Sequence, residues 1–150
     1  MQHVSHLHRT HEAATSSSWA RRVVLGVLAF EGLGALLGGP LLVAAPDGSL
    51  MKMPTEILQE TFSDFLVPGL LLTGLGVLNV AAFVVVLLRR PSSLLWTCLA
   101  LGGFFVWFAV EFSIVGYGHV AQLIWGVPVL IGGGAAWAKG LSLDRQRLCN

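Results

Sequence analysis

Two groups of chemically able side chains stand out because apolar sequence surrounds them. Glu31 lies in LAFEGLGALLG, and Asn79 lies in an apolar run whose only other polar side chain is Thr73. A lone charge in a dry medium is costly, so a carboxyl there is expected to be the neutral acid, donating a hydrogen bond to the amide. The functional reading is a carboxyl that binds a proton or a cation. The structural reading is a polar lock between two helices. The second group gathers around Gly116-Tyr117-Gly118: Glu111 before this turn, Tyr117 and His119 in and beside it, Gln122 after it, and Asp64 at the start of another apolar run. Gly103, Trp107 and Glu111 are four apart and share one helical face. Trp125 follows Gln122 within a turn. Carboxyls beside tryptophans suit an organic cation or a polar headgroup, through charge and cation–π attraction. The alternative is an interfacial hydrogen-bond cluster that closes a hairpin, because residues near an interface can reach water.

Other chemistries find little footing. His3, His6, His8 and His11 have the spacing H-x2-H-x-H-x2-H, and imidazole suits zinc, copper or nickel. They lie in a polar tail where no scaffold fixes ligand geometry, so incidental histidines are the expectation and no metal is assigned. His119 has no second strong ligand one turn away. Hydrolase triads, phosphate loops and H-E-x-x-H are absent, and Ser113 with His119 makes no nucleophile pair. No histidine falls inside an apolar run, which argues against bis-histidine haem. Cys98 and Cys149 form no redox motif. Neither enzyme activity nor a cofactor is expected.

The elements that position these residues are apolar helices. Of the 150 residues 55% are hydrophobic and 11% are charged, with a net charge of +1. A soluble domain carries about 25% charged residues, so this chain could not cover a water-facing surface, and the bilayer is the expected solvent. The balanced charge offers nothing to nucleic acid. Four runs, 23–45, 65–88, 94–115 and 120–138, are each near the ~20 residues that a membrane helix needs. The first is too long for a signal-peptide core, and no A-x-A site closes it, so it reads as a retained span. Residues 1–20 read as a disordered tail up to about Trp19, and 139–150 as a second polar tail. The loop 46–64 opens with turn residues Pro46-Asp47-Gly48-Ser49. A short helix from Thr55 through Gln59-Glu60 and a Thr61/Asp64 capping box are expected in it, with Met51, Met53, Ile57 and Leu58 lying on the membrane surface.

Charge orients the expected fold, an all-α, polytopic, four-helix antiparallel bundle. With the N-terminus inside, Arg9, Arg21, Arg22, Arg89, Arg90, Lys139, Arg145 and Arg147 are cytoplasmic and only Lys52 is outside. That bias favours both termini in the cytoplasm, and Trp19, Trp96 and Trp137 then mark the inner interface. The helical rise puts Glu31 about 13 Å beyond Arg22 and Asn79 about 15 Å before Arg89, so spans one and two are expected to be neighbours, with Glu31 meeting Asn79. Fourteen of the 18 glycines fall inside the four runs, including the Gly34/Gly38 pair, and a tight bundle is expected because small residues let helices approach closely in lipid.

The stretches GGPLLVAAPDGSLMKMP, FSDFLVPGLLL and WFAVEFSIVGYGHVAQLIWG resemble a group of small bacterial four-helix membrane proteins without an assigned activity. That resemblance implies four spans and an inner-membrane home. LAFEGLGALLG is similar to the first helix of small multidrug-resistance transporters, which would make Glu31 a substrate- and proton-binding carboxyl. The chain departs from them in its long polar tail, its large first loop and its one-sided arginines. The expectation is therefore a non-enzymatic integral membrane protein of the bacterial inner membrane. It would be a packing subunit or a binder of a partner or lipid-like ligand, in a homo-oligomer or with another membrane protein. The alternatives are a proton-coupled exporter of small cations working through Glu31, and a lipid-modifying enzyme using Glu111 and His119.

Overall fold

The chain is all-helical. The computed structural model describes the backbone of residues 2–58, 61–116 and 120–148, with side chains from 18 to 138 within these stretches except at 115, 120 and 121. Among the described residues there are four α-helices: α1 (Gln2–Ala44), α2 (Leu66–Leu87), α3 (Ser93–Val115) and α4 (Val120–Leu148). Three carry segments long and apolar enough to cross a membrane, Ser18–Ala44, Leu66–Leu87 and Ser93–Ile114, and α4 carries a shorter apolar stretch, Gln122–Ala138. Large apolar side chains such as Leu33, Leu37, Leu70, Leu95, Phe105 and Leu130 cover the outside. That surface suits a hydrocarbon solvent and would be a liability in water.

The first helix differs from the expected disorder before Trp19, because it runs back to Gln2. No glycine or proline interrupts residues 2–25, and a helix already nucleated by its apolar part extends at little cost. At the other end α4 likewise continues through Lys139 to Leu148.

Helix α1 packs against α2 and α4, α3 packs against α2 and α4, and α1 and α3 scarcely meet. Contacts between α1 and α2 run in reverse order along the chain. Arg21 reaches Val86 and Leu87, Gly32 lies against Asn79 and Val80, and Gly39 lies against Gly69 and Thr73. The Gly39/Gly69 crossing brings backbones together: a Cβ on Gly69 would sit 2.9 Å from the Gly39 carbonyl oxygen and 3.0 Å from the Val43 nitrogen. The glycines divide by side. Those at 32, 34, 39, 69, 76, 103 and 132 face other parts of the chain, whereas Gly26, Gly74, Gly102, Gly126, Gly133 and Gly134 have nothing within 4 Å of an added Cβ.

Polar groups along the helices are mostly absorbed by their own backbone. Thr73, Thr97 and Ser113 each donate to the carbonyl four residues back. Arg21 donates to the carbonyls of Val86 (3.4 Å), which also accepts from the Arg89 N–H at 3.2 Å, and of Leu87 (3.1 Å), at the end of α2 where carbonyls run out of helical partners. We expect Arg21→Ala to lower stability by about 1 kcal/mol, read as a reduced melting temperature in detergent. Arg21→Lys should recover only part of this, because lysine lacks the planar fork.

The loop between α1 and α2 folds back on the helix ends. Its base is closed by the Phe65 N–H donating to the Pro46 carbonyl at 2.8 Å. Gly48 takes φ 75°, a left-handed conformation that glycine tolerates, and its N–H and carbonyl bond Ala45 and Met53. The Ser49 hydroxyl and then the Ser49 N–H donate to Asp47, holding its carboxyl below the usual carboxylate range. The expected short helix is a 3-10 turn, Thr55–Leu58. The expected Thr61/Asp64 capping box does not form; Asp64 instead accepts from the Leu66 N–H at 2.9 Å, a two-residue reach suited to the shorter aspartate. Leu58 and Phe65 bury against Leu42, with Met53 and Ile57 packed beside them. The loop's apolar residues thus cover the helix ends.

Candidate functional site

The site forms from two helix faces. On α1, Glu31, Gly34, Ala35 and Gly38 follow the i, i+3, i+4, i+7 spacing; on α3, Phe104, Trp107, Phe108 and Glu111 follow it too. These two faces, Leu72 of α2, Trp125 of α4 and Met51 of the loop line a half-open cavity of about 150 Å³, room for several waters or a small organic ligand. Small residues on α1 leave the space, and aromatic residues on α3 and α4 wall it. The Trp125 ring lies directly on Gly34 and stacks on Phe30 with centroids 4.7 Å apart. Any side chain at position 34 would displace that ring.

Glu31 is the chemical centre. It is 1% exposed, and both carboxyl oxygens lack a hydrogen-bond partner. The expected bond to Asn79 is absent. Asn79 donates instead to the Leu75 carbonyl of its own helix at 2.9 Å, and its Oδ1 is unpartnered. Depth along a helix sets height but not direction. Gly32 is the residue that meets Asn79, and one residue is about 100° of helical rotation, which turns Glu31 toward the cavity.

The expected outer cluster divides. Glu111, Trp107 and Trp125 line the same cavity as Glu31. Asp64 is occupied with the start of α2. Gln122 is buried and donates to the Gly116 carbonyl at 3.0 Å, closing the α3–α4 connection. It faces a separate apolar recess between α3 and α4 with Phe105, Phe112 and Leu130. Tyr117 and His119 lie outside the described residues. Phe104, Phe108 and Met51 belong to the site although sequence reasoning did not single them out. The first two could have been found from their spacing to Glu111; Met51 depends on how the loop folds.

The cavity stops at Glu31. Below it, toward Arg21, the helices are packed by Val24, Val27, Leu28, Ala82, Val86, Ala100, Leu101, Ala135 and Ala136. A recess with two carboxyl side chains and two tryptophans, closed at its deep end, can hold a cation by charge and ring faces. No family model, curated protein or solved structure matches the chain.

Proposed function

We propose that this chain is a non-enzymatic integral membrane protein that binds a small organic cation or the cationic part of a lipid-like ligand. The observation that carries this reading is Glu31: a carboxyl 1% exposed, with neither oxygen paired, lining an aromatic-walled cavity. Burying an unpartnered carboxyl is costly, and a cation entering the cavity would remove that cost. The test is calorimetric titration of the purified protein with a primary alkylammonium ion. Saturable binding that weakens at least about tenfold in Glu31→Gln, the expected scale for a charged hydrogen bond, supports the reading. No binding, or binding unchanged by the substitution, refutes it.

The same reading places four spans in the bacterial inner membrane with both termini in the cytoplasm. Its support is the charge bias, together with Arg21 sitting at the end of α2 that carries Arg89 and Arg90. In a background with Cys98 and Cys149 replaced by serine, Lys52→Cys should react with a membrane-impermeant thiol reagent added outside intact spheroplasts. Reaction only after the membrane is opened would reverse the orientation.

Two further readings have particular observations in their favour. Gly126, Gly133 and Gly134 lie open on α4, which supports an assembly with a second copy or a partner helix. The packed layer beneath Glu31 leaves the cavity closed on one side, as a cation exporter resting in one state would be.

A further inference from the structure

A second recess lies between α3 and α4, and Phe108 lines both it and the Glu31 cavity. Phe105, Phe108 and Ala109 on α3 follow the i, i+3, i+4 spacing, and Gln122, Gly126 and Leu130 on α4 are four apart, so each helix contributes one face. The recess measures about 270 Å³. At about 30 Å³ for a water-sized group, it has room for roughly nine such groups. It extends about 12 Å along α4, the helical rise from Gln122 to Leu130. Gly126 leaves the space, because nothing lies within 4 Å of a Cβ added there.

Among the described residues that line this recess, Gln122 alone has a polar side chain. It is 3% exposed. Its Nε2 donates to the Gly116 carbonyl at 3.0 Å. A carbonyl can only accept, so this bond fixes which way round the amide lies. The other amide atom, Oε1, is buried and has no hydrogen-bond partner among the described residues. An acceptor left in that condition costs free energy that a donor recovers. A hydrocarbon chain fills the apolar lining but brings no donor. A charged ligand brings a donor but meets no opposite charge there.

We propose that this recess binds a lipid-soluble alcohol, an unbranched chain of about nine carbons whose terminal hydroxyl donates to Gln122 Oε1. The chain lies past Gly126 toward Leu130 and Phe105. Gln122 is two residues into α4, so the hydroxyl sits at the helix end and the tail in the apolar interior, the order in which an amphiphile lies in a bilayer. The site takes a neutral ligand and is independent of cation binding at Glu31.

The experiment is photolabelling of the full-length protein in detergent with nonanol carrying a diazirine at its far end, mapped by mass spectrometry. Label should fall around Phe105 and Leu130. Nonanol should displace it at a mole fraction about tenfold lower than nonane does, or than its own methyl ether, which accepts but cannot donate; this is the scale of one hydrogen bond. Among linear alcohols, displacement should be strongest near nonanol. Gln122→Leu should erase the preference for the alcohol and leave labelling by the chain. Because that change also removes the bond to Gly116, Gly126→Leu is the companion variant. It fills the recess from a position whose Cβ meets no neighbour, so labelling should disappear while the melting temperature is kept. Glu31→Gln should leave labelling unchanged, which separates this test from that of the cation site. Equal displacement by alcohol, ether and alkane, the result if an ordinary acyl chain fills the recess, overturns the proposal. So does label that survives Gly126→Leu, and so does the lack of any displaceable label, the result if a second copy of the chain covers the recess.

Discussion

Gly69→Leu is expected to lower stability by about 3 kcal/mol or more, whereas Gly74→Leu, one and a half turns further along the same helix, should be near neutral. Both changes raise helix propensity equally, so the difference isolates packing. At position 69 the new side chain meets backbone: the Gly39 carbonyl oxygen at 2.9 Å and the Val43 nitrogen at 3.0 Å, besides Leu42 Cβ at 2.9 Å. Backbone cannot turn aside as a side chain does, so α1 and α2 must separate, and with them the close crossing on which both depend. At position 74 nothing lies within 4 Å. Thermal or denaturant unfolding in one detergent, followed by circular dichroism, compares the two. Similar losses in both variants would mean that the Gly39/Gly69 crossing does not hold the helices together.

Glu31→Leu is expected to make the protein more stable, by about 1–3 kcal/mol, while abolishing cation binding. The wild-type carboxyl is buried with both oxygens unpaired, so its removal costs no hydrogen bond and relieves the penalty of burying a polar group. Leucine is close in size and suits a wall already made of Ala35, Leu72, Phe104 and Phe108. A polar lock between helices predicts the reverse, a clear fall in melting temperature. Stability that rises as binding disappears is the signature of a residue kept for function at the expense of the fold. A fall in melting temperature would reject that account of Glu31.

The helices were the legible part of the sequence, because an apolar run with at most one charged residue has few other ways to fold. The site was half legible. Counting residues from flanking arginines gave heights for Glu31 and Asn79, and these two do belong to packed neighbouring helices. Height carries no direction, so Gly32 rather than Glu31 meets Asn79. Glu31 and Glu111 fall into separate groups in the sequence because each is anchored to a different end of the bundle. Their faces, Glu31-Gly34-Ala35-Gly38 and Phe104-Trp107-Phe108-Glu111, carry the same spacing, and only packing shows that both open on one cavity. Glycines posed a similar difficulty: nothing in the sequence says that Gly32 faces a neighbour and Gly133 does not.

Proline 128 divides α4 between two anchorages. Above it the Trp125 ring is seated on Gly34 and against Phe30; below it Ala135 and Ala136 are sealed into the interior. A proline supplies no N–H to the carbonyl one turn before it, so the rod is softest between its two fastenings. A bend at position 128 would lift the Trp125 ring from its glycine seat and widen the recess beside Glu31.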